Sequence, residues 1–255
     1  MATTIAVFSI KGGVGKTATS VNLAHCAAMA GKRTLLWDLD AQGAASFYYG
    51  IKPEIKGGLK EIVEDLQNPV KKRHLTEHIR NTEFDKLDVL PADFSFREFD
   101  VEAAASKQPM RFMERILAPL QDDYDYLIVD CPAGFTVATE SLLHACDIVL
   151  IPTIPTVLSV RALDQLYKYI KDNFEKKPTV RAFFSMMDGR KRMHADIYEE
   201  LCVKRKTIVM PIVIPYTSVV ERMGVQMAPV TQFAASSRAG ESYLQLWKAV
   251  KKLKV

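Results

Sequence analysis

The run Ile5-Ala-Val-Phe-Ser-Ile-Lys-Gly-Gly-Val-Gly-Lys-Thr17 constrains the fold of this chain more than any other stretch. Ile5, Val7 and Phe8 make an apolar run short enough for one buried strand, and a glycine-rich turn then leads into a helix. Gly12, Gly13 and Gly15, around Val14, let the backbone turn tightly and aim several N–H groups at one anion. The helix beginning near Lys16 adds the positive end of its dipole. Strand, glycine turn and helix in this order read as a phosphate cradle, with Lys16 reaching the β and γ phosphates and the Thr17 hydroxyl ligating Mg²⁺.

The loop is a variant. The pattern G-x-x-x-x-G-K-[ST] places a glycine where this chain has Ile10, and it does not call for a lysine at position 11. Lys11 is therefore either a second cation for phosphate or a solvated loop residue.

Downstream, the pattern of a phosphate-binding α/β domain continues. Val21, Leu23, Ala24, Ala27, Ala28 and Met29 form a broad apolar stripe for a helix from Lys16 to about Ala30, with Gly31 as its stop. Thr34-Leu-Leu-Trp-Asp-Leu-Asp40 is a second apolar strand, and it ends on two carboxylates. In open parallel sheets ligands sit beyond the carboxyl ends of the strands, so the loop should meet Asp38 and Asp40 there. Tyr124-Asp-Tyr-Leu-Ile-Val-Asp-Cys-Pro132 is another strand ending in an acid. Asp130 alone reads as a strand-end or capping aspartate. Beside the loop it reads as a carboxylate holding a Mg²⁺-bound water, with Ala133-Gly134 as a hinge.

Strands are also expected over Leu87–Pro91, Asp147–Pro152, Val180–Met187 and Thr207–Ile214, the last interrupted at Pro211. Helices are expected over 57–67, 108–120, 158–174 and 236–252, and 94–105 reads as loop or helix. The basic run Val70-Lys-Lys-Arg-His74 reads as a solvated helix end. No repeat, low-complexity tract or flexible linker divides the 255 residues. The expectation is one doubly wound, mostly parallel α/β domain over residues 1–255, with helices flanking the sheet.

The composition is that of a soluble globular protein, and the net charge of +4 is too mild to name a partner. The four cysteines are widely spaced, which suggests reduced buried thiols rather than a zinc site or disulfide framework. No leader segment is expected, and no run approaches the about 18 apolar residues of a membrane span.

Lys11-Gly-Gly-Val-Gly-Lys-Thr17, Asp38-Leu-Asp-Ala-Gln42 and Val129-Asp-Cys-Pro132 together resemble the ParA/MinD ATPases, and the resemblance extends through Asp147–Pro152 and from Ile214 through Pro229 and Val230 to the last helix. The resemblance implies a P-loop fold and Mg²⁺-dependent hydrolysis of ATP. It implies that Lys11 is the signature lysine that reaches the partner's phosphates in an ATP-bound sandwich homodimer. Residues Lys11 to Ala18 would hold the nucleotide, Thr17, Asp40 and Asp130 would serve the metal, Asp40 would orient the attacking water, and Asp38 would support the metal from behind. Adenine contacts would come from Met187, Asp188 and Pro215. Ala18 replaces a threonine usual in that family, at a cost of about 0.5–1.5 kcal/mol for one missing hydrogen bond. Ala41 and Ala133 replace prolines usual in the two switches.

The function implied is that of a cytoplasmic, nucleoid-associated ATPase. Its ATP dimer would coat DNA non-specifically, and a cargo-associated activating protein, ParB-like or another small adaptor, would release it by stimulating hydrolysis. The DNA contacts would be Arg190, Lys191, Arg192, Lys204, Arg205, Lys206, Arg222, Lys248, Lys251 and Lys252, unless these are scattered solvated charges. Two alternatives stand beside this: a MinD-like membrane ATPase anchored by the amphipathic C-terminal helix, and a P-loop metabolic enzyme.

Overall fold

The computed structural model describes residues 1–67 and 74–253, so positions 70–73 of the basic run and the last two residues lie outside the described residues. Eight strands form one sheet: β1 (Thr3–Val7), β2 (Thr34–Asp38), β3 (Arg80–Asn81), β4 (Leu87–Leu90), β5 (Tyr126–Asp130), β6 (Ile148–Thr153), β7 (Thr179–Met187) and β8 (Val209–Pro215). Their order is β3-β4-β2-β5-β1-β6-β7-β8, and every pairing is parallel except that of β3 with β4. From central β1 the chain builds first toward β2 and later toward β8. The crevice beyond the carboxyl ends of β1 and its neighbours is where such a sheet binds ligands.

Both faces of the sheet are covered, which is why its strands read as unbroken apolar runs. Side chains alternate between two cores: Phe8, Leu35, Trp37, Leu127 and Val129 enter one, and Ile5, Val7, Leu36 and Ile128 the other. Helices Phe99–Ala105, Phe112–Leu117, Val137–Ala145, Val157–Asn173 and Arg192–Lys204 pack into the first. Helices Lys16–Met29 and Arg238–Val250, with the short turns between 218 and 233, pack into the second.

Apart from short turns of five residues or fewer, two helices among the described residues were not expected from sequence. Val137–Ala145 is started by a capping box between Thr136 and Thr139. Arg192–Lys204 hides its narrow apolar stripe of Ile197, Tyr198, Leu201 and Cys202 among charges. The segment 94–105 is a 3₁₀ turn over Phe94–Glu98 capped by Asp93, followed by a helix. The helix expected over 108–120 shrinks to Phe112–Leu117 between two 3₁₀ turns. Pro211 does not interrupt β8: it is exposed on this edge strand, where shifts in the β7–β8 register absorb its missing donor.

The last helix, Arg238–Val250, buries Tyr243, Leu246, Trp247 and Val250, and Trp247 meets Tyr126 edge-on at 4.9 Å. The apolar face that a lipid anchor would need is thus packed into the fold. Among the described residues, no helix is long and apolar enough to cross a membrane.

Candidate nucleotide site

The loop after β1 is shaped by two left-handed glycines, Gly13 at φ 68° and Gly15 at φ 87°. Gly15 is also the N-cap of helix Lys16–Met29, and its carbonyl accepts from the Thr19 N–H at 3.1 Å and the Thr19 hydroxyl at 2.7 Å. The first turn of that helix carries no acid, so its free N–H groups can receive an anion unopposed. A Cβ on Gly15 would stand 2.9 Å from Ser185 Oγ, in a backbone conformation that side chains resist. Gly15→Ala should therefore cost about 1–3 kcal/mol of stability and loosen nucleotide binding, as thermal unfolding and a nucleotide titration would show.

Lys16 is buried in the cradle, and Thr17 sits at its rim. β2 and β5 are adjacent and in register, so Asp38 and Asp130 stand side by side, both fully buried. Asp38 Oδ2 accepts from the Ser46 N–H and hydroxyl, each at 2.7 Å, while its Oδ1 has no partner. Asp130 Oδ1 accepts from Ser20 Oγ at 2.9 Å, the carboxylate also accepts from Thr17, and its Oδ2 has no partner.

Burial pushes both carboxyls above the usual carboxylate range. The charge of Asp38 raises Asp130 further, against the hydrogen bonds from Thr17 and Ser20 and the charge of Lys16. Two adjacent acids, each with an unsatisfied oxygen, beside a threonine hydroxyl and a phosphate cradle are the donor set Mg²⁺ takes when it is shared with a nucleotide. Among the described residues, no cluster of three or more acidic, histidine or cysteine side chains could hold a metal unaided. The family resemblance puts Asp40 on the metal and Asp38 behind it. The buried pair beside Thr17 is instead Asp38 with Asp130. Asp40 is half-buried in the following loop, where its carboxylate accepts from the Gln42 N–H at 3.0 Å.

After β5, Ala133 is exposed and Gly134 takes φ 104°. Ala133 lies next to the loop, 3.8 Å from where a Gly12 Cβ would be. Phe135 wedges between Phe8 and Tyr169, with ring centroids at 6.2 Å and 4.8 Å. This hinge therefore touches the loop, the end of β1 and helix Val157–Asn173.

A cleft opens from Gly15 and Ala18 between the ends of β7 and β8, lined by Ser185, Met186, Pro215, Tyr216, Glu221 and Tyr243 among others. Of the three residues expected against adenine, Pro215 lines this cleft. Met186 lines it where Met187 was expected, because Met186 adopts φ 52° and so faces Gly15. Asp188 lies outside it and is forked by Arg190, with Nε at 2.9 Å and Nη2 at 2.8 Å, which holds its carboxyl well below the usual range. Sequence reasoning missed Tyr216 and Tyr243. The second lies in the last helix and also bonds Thr19 behind the loop.

The basic residues are not gathered in one place. Arg190–Arg192 and Lys204–Lys206 flank opposite ends of one helix, about 20 Å apart. Lys248, Lys251 and Lys252 end a helix on the other face of the sheet, and both helices border edge strand β8. Four of the cations face acids of the same chain: Arg190–Asp188 at 2.8 Å, Arg192–Asp196 at 4.0 Å, Lys204–Glu200 at 2.9 Å and Arg205–Asp164 at 3.1 Å. Arg222 lies over the Phe233 ring at 6.0 Å, while Lys191, Lys206, Lys248, Lys251 and Lys252 are exposed.

A mostly parallel sheet with a glycine loop, a buried lysine and paired acids at its carboxyl edge defines a P-loop nucleoside triphosphatase. Comparison with known proteins narrows the class. A family model described as an AAA domain matches residues 2–181. The chain is 31% identical over 250 residues to the sporulation initiation inhibitor protein Soj of Bacillus subtilis, covering 96% of this chain and 97% of that protein. It is 31% identical over 252 residues to the chromosome partitioning protein ParA of Myxococcus xanthus, covering 97% and 87%. Among solved structures, the McdA–ATP complex of Cyanothece superposes with a TM-score of 0.81 at 19% identity over 100% and 98% of the two chains. Cobyrinic acid a,c-diamide synthase of Mycobacterium smegmatis, with ADP and magnesium, gives 0.79 at 22% identity over 99% and 95%. The chain belongs to the ParA/MinD family of P-loop ATPases.

Proposed function

We propose that this protein is a positioning ATPase of the ParA type, in which ATP and Mg²⁺ close two copies into a dimer that binds DNA without sequence preference. The observation carrying this reading is the division of labour on one loop: Lys16 is buried in the cradle, whereas half-buried Lys11 turns to another element, its Nζ lying 3.5 Å from Ser159 Oγ. A loop with two cations so divided can serve its own phosphates and those of a second copy. The loop N–H groups, Lys16 and Thr17 bind the phosphates. Asp130 and Asp38 supply the oxygens for the metal, which neutralises phosphate charge. Asp40, on the loop side of the pair, orients the attacking water, and Lys11 of the second copy stabilises the charge that develops, as an arginine finger does. The cleft at Pro215, Met186 and Tyr216 takes the base. A partner on the cargo stimulates hydrolysis and frees the dimer.

The bound surface is DNA rather than lipid, because the apolar face of the last helix is buried while Lys248, Lys251 and Lys252 at its end stay exposed. With the Arg190–Lys206 region on the other side of β8, they straddle that edge, and a dimer doubles the set. The protein is expected to co-sediment with DNA only in ATP, with affinity falling steeply in salt, and replacement of Lys248, Lys251 and Lys252 by alanine should flatten the salt slope. Binding to anionic vesicles instead of DNA would support the membrane alternative. Turnover that needs a small metabolite, with neither surface bound, would support the metabolic one.

A further inference from the structure

We infer that Ser159 is a positioning residue for Lys11: it parks the lysine ammonium in the single chain, and a second copy must draw the ammonium away to complete the ATP dimer. The inference rests on the proposed ATP dimer. Lys11 donates from Nζ to Ser159 Oγ at 3.5 Å, and its backbone N–H donates to Ser9 Oγ at 3.3 Å, so the residue is held at both ends. Ser159 is 5% exposed and itself accepts from Thr156 Oγ1 at 3.1 Å, which fixes the oxygen in place.

The contact is built to be left. Ser159 is the third residue of helix Val157–Asn173, whose N-terminus carries positive dipole charge and disfavours a neighbouring cation. A neutral hydroxyl at the outer limit of hydrogen-bond distance compensates weakly. The ammonium is thus confined near the loop, which reduces the conformational search, without being bound strongly enough to resist a phosphate. Val157 and Leu158, immediately before Ser159, are 68% and 66% exposed. They give an apolar step beside the lysine that the same step on a second copy could cover about a two-fold axis. The same helix touches the hinge through Tyr169 and Phe135, so it contacts both the parking place and the loop after Asp130.

Two readouts test this. The first is the rate at which an amine-reactive ester labels Lys11 in the nucleotide-free chain, followed by mass spectrometry. Ser159→Asp places an acid at a helix start, where it suits the dipole and folding, and its carboxylate should hold the ammonium and slow labelling about tenfold. Ser159→Ala should speed labelling, and Ser159→Thr should behave as the native chain. The second readout is ATP-dependent dimerisation, which Ser159→Asp should weaken about tenfold while single-chain nucleotide affinity stays unchanged. Labelling that is the same in all variants, or dimerisation indifferent to Ser159→Asp, overturns the inference. Altered labelling in a native chain that never dimerises with ATP would instead overturn the dimer reading.

Discussion

Lys16→Ala is expected to abolish measurable ATP binding and hydrolysis while leaving the fold intact. Lys16 is buried between the glycine turn and the acid pair, and it is the cation whose charge opposes the rise in the Asp130 carboxyl. Losing a desolvated charged contact to phosphate costs about 2–5 kcal/mol, or roughly 30- to 5,000-fold in affinity. The alanine chain should also be slightly less stable without nucleotide, because the two carboxyls lose their nearest counter-charge. Calorimetric titration with ATP and a circular-dichroism melt separate these effects. An affinity within about twofold of native would show that the cradle does not bind phosphate as described.

Asp130→Asn should move stability and activity in opposite directions. In the native chain, burial and the neighbouring Asp38 raise the Asp130 carboxyl, so the folded state holds more protons than the unfolded state from the ordinary carboxylate range, about pH 4, toward neutrality. A raised acid therefore costs stability as pH rises through that window, and the metal-free native chain should melt lower at pH 7.5 than at pH 5.5. The asparagine variant keeps the shape, loses the repulsion with Asp38 and should melt higher at neutral pH with a flatter pH dependence. Each kcal/mol relieved corresponds to about 2–4 °C. Its Mg²⁺-dependent hydrolysis should fall about 10²–10³-fold, because the oxygen that lacks a partner in the native chain is no longer anionic. In the native chain stabilisation by Mg²⁺–nucleotide should grow with pH, since it favours both acids ionised. A variant that melts lower and keeps its activity would return Asp130 to a structural role.

The sheet and the phosphate loop were legible because they are local. Strands buried on both faces leave continuous apolar runs such as Leu35–Trp37 and Leu127–Val129, and a glycine turn before Lys16-Thr17 has few other uses. The placement of the acids was only half legible. Asp38 and Asp40 are two residues apart on one chain segment, and only the β2–β5 register reveals that Asp38 is the one beside Asp130. That Met186 rather than Met187 lines the cleft was not legible for a similar reason, since a positive φ on a methionine leaves no trace in composition or periodicity. Helix Arg192–Lys204 was missed because its charged residues mask a narrow stripe that suffices at the edge of a sheet. The basic residues form a compact set along the chain, yet the fold puts them on both faces beside β8. Lys11 is the unusual letter of the loop, and its side chain turns to Ser159 on another helix; its proposed role is one that a single chain does not need.

That role can be measured directly by sedimentation velocity of the native chain and Lys11→Ala, each with Mg²⁺ and either ADP or a slowly hydrolysed ATP analogue. The native chain should be a monomer with ADP and a dimer with the analogue, and Lys11→Ala should stay a monomer in both while still binding nucleotide. A native chain that remains monomeric with the analogue, or a Lys11→Ala chain that dimerises as the native one does, would contradict the proposal that ATP clasps two copies through this lysine.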